Sequence, residues 1–282
     1  MHRGRRIELR RRDGVVTGSV PASGAGVPAS GAGVPDSGAG ADATRRMSAF
    51  AAGVSGRAIT AVLVGYFDAT LEGGDHIPAQ GGALLVGNHG PFGVDSFVLA
   101  ALVARDRGRY LRFLVEKNLA RLPPFDAFFR AVAAIPGRPD RAEAALASGE
   151  LLGVYPGGID ESLQHARKGG RPRWGTRAGF ARVALRAKVP VVPVTGIGID
   201  GTYRVVARER WIGRRVLGSP RYDLPLALGA WGTPLPRRVT MRFVAGPPID
   251  PVGEAEDPDA VERLRAATLS VIEAELARSR RA

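Results

Sequence analysis

A single α/β domain on a largely parallel sheet, behind a disordered amino-terminal tail, is the architecture this sequence predicts. Three observations carry it. From about residue 80 onward, short apolar runs alternate with helical patterns of roughly 10–15 residues, the order that βαβ crossovers need. The 282 residues are 45% hydrophobic, enough to bury one sizeable core. Upstream this character stops, and no aromatic residue precedes Phe50.

Residues 1–46 read as the tail. Residues 1–12, MHRGRRIELRRR, hold six arginines, and residues 20–40 repeat VPASGAG, VPASGAG, VPDSGAG, with a proline and two glycines per unit and no large side chain to pack. The arginine run reads as a polybasic arm for anionic lipid or nucleic acid, or as a solvated end. No apolar run follows it, so it does not read as a signal peptide. The domain is expected over 47–282, opening with a helix over 48–71. There Phe50, Val54, Ile59, Leu63, Phe67 and Leu71 form an apolar set, and residues 47–71 read as a candidate membrane-docking helix or as a helix packed on the domain. The longest apolar stretch, Ala58–Phe67, is ten residues, too short to span a bilayer.

Strands are predicted at Ala83–Gly87, Leu111–Val115, Val132–Ile135, Leu151–Tyr155, Pro190–Thr195 and Val239–Val244. Between them, helical spacing covers Asp95–Arg105, Asn118–Arg130, Arg138–Ser148 and Thr176–Ala187, and a last amphipathic helix covers Pro258–Arg278. In such sheets the chemistry sits beyond the carboxyl ends of the strands.

Composition narrows that chemistry. With no cysteine, thiolate catalysis, disulfides and cysteine-ligated metals are excluded. Only His2, His76, His89 and His165 offer imidazoles, and no metal site is expected. The formal charge of +13 comes from 37 arginines against three lysines, which points to an anionic partner: nucleic acid, lipid headgroups or a phosphorylated co-substrate.

Two strand ends stand out. After Ala83–Gly87 come Asn88, His89 and a glycine-rich turn, then Asp95 at the start of an apolar helix. Asp95 reads as an N-cap, or as the carboxylate that orients His89 as a general base; a satisfied structural pair is the other reading. After Leu151–Tyr155 come Pro156, Gly157 and Gly158, then Asp160 and Glu161, either an oxyanion- or phosphate-binding turn or a plain connection. Gly196-Ile-Gly198-Ile-Asp-Gly201 matches the dinucleotide fingerprint in letters, but no apolar helix follows it.

Taken in order, GGDHIPAQGGALLVGNHGPFGVD, FLVEKNLARLPPFDAFFRAVAAIPGRP, LASGELLGVYPGGIDE and GFARVALRAKVPVVPV resemble the four blocks of the phospholipid/glycerol (lysophospholipid) acyltransferase family, across about residues 72–250. The resemblance implies a glycerolipid-acyltransferase-like α/β domain with parallel or mixed strands. It implies an acyl thioester donor (acyl-CoA or acyl carrier protein as co-substrate, with no resident cofactor), a lipid acceptor, and a cytoplasmic protein peripheral on the inner face of the membrane. Two departures stand. Five residues separate His89 from Asp95 where the family usually has four, and Tyr155-Pro156-Gly157-Gly158-Ile159-Asp160-Glu161 lacks the arginine of the phosphate-acceptor branch. Both resemble the monoacyl- and diacylglycerol acyltransferase-like branch.

The implied roles are His89 as base and Asp95 as its orienter. Asn88, Gly90, Pro156, Gly157, Gly158, Glu161, Arg167 and Lys168 are expected at the substrates, the last two at the phosphates of CoA. A lysophosphatidate acyltransferase, a lipid esterase using water at the same pair, and a nucleic-acid-binding protein are the alternatives. The last lacks any recognition motif, and no nucleic-acid partner is expected.

Overall fold

Ala83, Leu84, Leu85 and Val86 are buried in succession, which a strand achieves only when both faces of its sheet are covered. The computed structural model describes residues 37–116, 119–121, 123–162, 172–209 and 224–281, all within one unit, Pro35–Ala282.

Two helices lead in: α1 (Ser37–Ala52) and α2 (Val54–Tyr66). The sheet begins with β1 (Thr70–Glu72) and β2 (Ala83–Gly87), then α3 (Val94–Arg107) crosses to β3 (Leu111–Val115). Next come α4 (Pro123–Ala131), β4 (Ile135–Pro136), α5 (Pro139–Ala147), β5 (Leu151–Val154) and the short α6 (Gly158–Ser162). α7 (Gly179–Ala187) precedes β6 (Val191–Ile197), a hairpin of β7 (Arg204–Glu209) and β8 (Leu224–Leu228) follows, and β9 (Arg242–Ala245) and α8 (Pro258–Ser279) complete the order.

The seven-stranded sheet runs β1-β9-β6-β2-β5-β3-β4, and β7 and β8 pair apart from it. β9 is antiparallel to β6 and every other neighbouring pair is parallel, so the sheet is mixed, as expected. Successive residues of β2 serve opposite cores. Leu84 and Val86 join Leu146, Phe180, Ala184, Leu264 and Ile272 from α5, α7 and α8. Ala83 and Leu85 join Phe67, Leu99, Leu102 and Phe243 on the side of α3. α8 starts on Asp257, whose side chain accepts from the Asp259 N–H at 2.9 Å with Pro258 at the first helical position.

At the amino-terminal edge of the strands, Arg112 and Glu150 form a buried ion pair at 2.5 Å, and the guanidinium also donates to the Ala133 carbonyl. Thr44 of α1 donates its hydroxyl to the same Glu150 carboxylate at 2.9 Å.

Three expectations are corrected. Helix begins at Ser37, so α1 crosses the expected tail boundary at 46; the alanines at 39, 41 and 43 favour helix and Thr44 ties it to the sheet. Residues 1–36 lie outside the described residues. The single helix expected over 48–71 is two, broken at Gly53 with a bend of 73°, and Thr70–Glu72 is strand. Gly56 permits the bend: a Cβ there would stand 2.1 Å from the Phe50 carbonyl oxygen. No single described helix is long and apolar enough to cross a membrane. The strand expected at Val132–Ile135 is only Ile135–Pro136, because α4 and its closing turn occupy the preceding residues.

Glu150→Ala leaves the Arg112 charge buried and unpaired, a change that typically costs about 3–5 kcal/mol. A urea unfolding midpoint lowered to match is expected, with Glu150→Gln recovering part of the loss.

Candidate active site

β6, β2 and β5 lie side by side and parallel, with Gly87 level with Val194 and Val86 level with Val154, so their carboxyl ends emerge together. The loop after β2 is fastened to both neighbours. Asn88, buried, donates its amide N–H to the Gly196 carbonyl at 2.9 Å and accepts from the Gly196 N–H at 2.8 Å. The His89 N–H donates to Oε1 of Glu161 at 3.1 Å, and the Phe92 N–H to the Ser162 hydroxyl at 3.0 Å.

This loop turns sharply, with Phe92 (φ 57°) and Gly93 (φ 76°) both left-handed. The turn sets Asp95 in the first turn of α3, one place inside the helix whose N-cap is Gly93, and the helix makes no side-chain cap bond. Asp95 is therefore not the expected cap. Its carboxylate, 1% exposed, faces the imidazole, with Oδ2 3.0 Å from Nδ1 of His89. That contact engages Nδ1 with the carboxylate, and Nε2 is the other ring nitrogen. The His89 side chain keeps 14% of its surface.

The ring is held from one side as well. Tyr155 stacks on His89 with centroids 4.1 Å apart and planes within 8°, and Phe113 stacks behind Tyr155 at 5.5 Å. Gly153 makes room for this pile, since a Cβ there would meet the Phe113 ring at 2.4 Å. The Tyr155 hydroxyl is buried towards Asp95 and Ser96. Burial first, then the Asp95 charge, pushes the phenol well above its usual range, so it stays protonated beside that carboxylate.

After β5, the Gly157 position presses on Glu161, where a Cβ would fall 1.7 Å from a carboxylate oxygen. Gly158 is left-handed (φ 54°), and its N–H donates to the Tyr155 carbonyl at 2.9 Å.

Comparison with known proteins places this geometry. Residues 68–196 match the family model described as Acyltransferase, a span holding His89, Asp95, Tyr155 and Glu161. Over those residues the chain is similar in sequence to acyltransferases. A Bos taurus protein named "DGAT1/2-independent enzyme synthesizing storage lipids" is 32% identical over 201 residues, 69% of this chain and 58% of that protein. The Homo sapiens protein of the same name is 31% identical over 189 residues, covering 66% and 56%. An uncharacterized Mycobacterium tuberculosis protein is 30% identical over 191 residues, covering 65% and 52%. The chain thus spans little more than half the length of these relatives. The crystal structure of the 1-acyl-sn-glycerophosphate (LPA) acyltransferase PlsC from Thermotoga maritima aligns with a TM-score of 0.48 at 15% identity, covering 81% of this chain and 87% of that one.

Among the residues that sequence places in the acyltransferase site, the structure brings His89, Asp95 and Glu161 together. It engages the Asn88 amide with Gly196 and the Gly158 N–H with Tyr155, so neither faces outward as expected. Gly90 lies where a Cβ would be 3.3 Å from Asp95 Oδ1, so its role is close approach. Pro156 closes β5 into the turn. Arg167 and Lys168 lie outside the described residues. Sequence reading missed Tyr155 as more than the end of a strand; an aromatic directly before Pro-Gly-Gly was the available signal. The glycine fingerprint at 196–201 leads into one 3₁₀ turn and then β7, which is not a dinucleotide-binding unit.

Glu161→Ala strands the His89 N–H in a buried loop, a loss of about 1–3 kcal/mol. Faster amide exchange at residues 88–92 should accompany the lowered unfolding midpoint, and Glu161→Gln, which keeps an acceptor oxygen, should restore most of both.

Proposed function

We propose that this chain is an O-acyltransferase that moves a fatty acyl group from an acyl thioester, acyl-CoA or acyl carrier protein, to a hydroxyl of a glycerolipid or lipid alcohol. The observation that carries the reading is the Nδ1–Asp95 contact at the carboxyl ends of parallel strands, inside the segment that matches the acyltransferase model.

Nε2 of His89 takes the proton of the acceptor hydroxyl as its oxygen attacks the thioester carbonyl. Asp95, whose Oδ2 receives the Nδ1 proton's hydrogen bond, stabilises the imidazolium that forms. The tetrahedral oxyanion calls for donors, and the Gly157 N–H is the group at this turn assigned to it. Collapse breaks the C–S bond, and the departing thiolate takes the proton back from Nε2, which leaves ester, free thiol and neutral histidine. A stacked tyrosine suits this cycle, since an aromatic face favours the cationic ring.

The acceptor in this reading is uncharged, a mono- or diacylglycerol or a long-chain alcohol. Asp95 and Glu161, both buried beside His89, disfavour a phosphomonoester there, and Asp160 stands where the phosphate-acceptor branch has arginine. The naming of two relatives for storage-lipid synthesis supports the same side. A peripheral position on the inner face of the membrane belongs to this reading, supported by the exposure of Phe50, Val54, Ile59 and Val62 on α1 and α2.

His89→Ala should lower turnover by about 10²–10⁴-fold with the unfolding midpoint little changed. Near-normal turnover by a folded variant overturns the assignment of the base. With lysophosphatidate and monoacylglycerol offered together against one acyl-CoA, diacylglycerol should dominate the products. Mostly phosphatidate would reverse the acceptor assignment, and free fatty acid without any acceptor would make the protein an esterase.

A further inference from the structure

One loop is built to expose its most apolar side chain. Trp231 is 89% exposed and Leu235 60%, on a loop that follows β8. Disorder does not account for it. The Gly229 N–H donates to Thr233 O and the Ala230 N–H to Leu235 O, both at 2.7 Å, while the Thr233 hydroxyl and N–H both reach Ala230 O. Gly229 is needed for this closure, because a Cβ there would stand 1.6 Å from the Leu235 carbonyl oxygen. Trp231 itself sits at φ 51°, a conformation a bulky residue rarely adopts. The loop therefore holds an indole outward at a cost in backbone strain, and strain of this kind concentrates at functional sites.

Its surroundings connect it to the rest of the molecule. The Tyr66 hydroxyl at the end of α2 donates to the Pro236 carbonyl at 2.8 Å, and the Tyr203 hydroxyl to Pro234 at 3.0 Å. Tyr203 in turn meets Phe92 edge to face at 4.8 Å, three residues after His89. Val206 and Phe92 are also exposed, at 49% and 45%. Charge completes the picture: among the described residues, Arg204, Arg237 and Arg238 near this loop are exposed.

We propose that the 229–235 loop is a membrane contact, with Trp231 and Leu235 entering the interfacial layer of an anionic bilayer and the neighbouring arginines meeting its headgroups. A tryptophan with a wet edge and an apolar body suits that layer, and arginines beside it select an anionic surface. Through Tyr203 and Phe92 the contact adjoins the loop that carries His89, and through Tyr66 it adjoins α2. The proposal rests on the lipid-directed reading above and adds to it a second, separate point of attachment.

The test uses the full chain with vesicles of phosphatidylcholine alone and with one-third phosphatidylglycerol added. The emission difference between the wild type and Trp231→Phe isolates this indole from the buried Trp174 and from Trp211. It should shift to the blue on anionic vesicles and be quenched by brominated lipid. Trp231→Ser should bind those vesicles about tenfold more weakly, the scale of one lost interfacial side chain. Arg237→Glu with Arg238→Glu should abolish the preference for phosphatidylglycerol. Turnover of Trp231→Ser on detergent-dispersed substrates should match the wild type. An unmoved Trp231 emission with unchanged vesicle affinity overturns the proposal and leaves acyl transfer standing. A shift produced by single-stranded RNA and not by vesicles overturns it in favour of a nucleic-acid surface.

Discussion

Hydrogen bonds between side chains and main chain across the ends of β6, β2 and β5 fix where everything else in the site can stand. β2 is the middle strand, and the two residues that leave it are fastened in opposite directions, Asn88 to Gly196 near the end of β6 and His89 to Glu161 after β5. A histidine on an ordinary glycine-rich loop would sample many orientations. Here the main chain on which it stands is tied to the segments on either side, so its side chain has only its χ angles left to fix. Asp95 at Nδ1 and the Tyr155 ring on its face supply that restraint.

The arrangement buries two carboxylates against the one histidine, and burying a charge is tolerated only with partners. Glu161 meets that demand through a main-chain N–H and Asp95 through the histidine. Small residues are as necessary as charged ones. Gly157 yields to Glu161, Gly153 to Phe113, and Gly90 to Asp95. At Gly157 and Gly153 a methyl group would displace the Glu161 carboxylate and the Phe113 ring, and at Gly90 it would crowd Asp95 and Ile199.

Much of this was legible. Ala83–Gly87 and Leu111–Val115 were read to the residue because both faces of a central parallel strand are covered, which leaves an unbroken apolar run. His89 and Asp95 were legible because a histidine leaving such a run has no core to satisfy it. β1 was not, since its three residues carry no period of their own and become strand only by pairing with β9. The break at Gly53 was hidden for a related reason: it follows from Gly56 lying against the Phe50 carbonyl, and apolar spacing is silent about backbone contact. Asn88 looked like a substrate contact because sequence shows an amide at a strand end and cannot show Gly196 beside it. The hairpin of β7 and β8 lacked a strong alternating pattern, and the loop after β8 exposes Trp231, the reverse of what burial rules expect.

The pairing of β1 with β9 has a consequence for how the protein comes into being. β1 has no neighbour in the sheet except β9, which lies some 170 positions later in the chain (Thr70 opposite Arg242). During synthesis, therefore, the first strand stays without a partner until most of the polypeptide has left the ribosome. The central strands can assemble earlier, because β2, β5 and β6 need only one another. The order of assembly is thus inside first and edge last. Throughout that interval the edge that β9 will cover on β6 stands open, and the segment that becomes β1 has no strand to pair with.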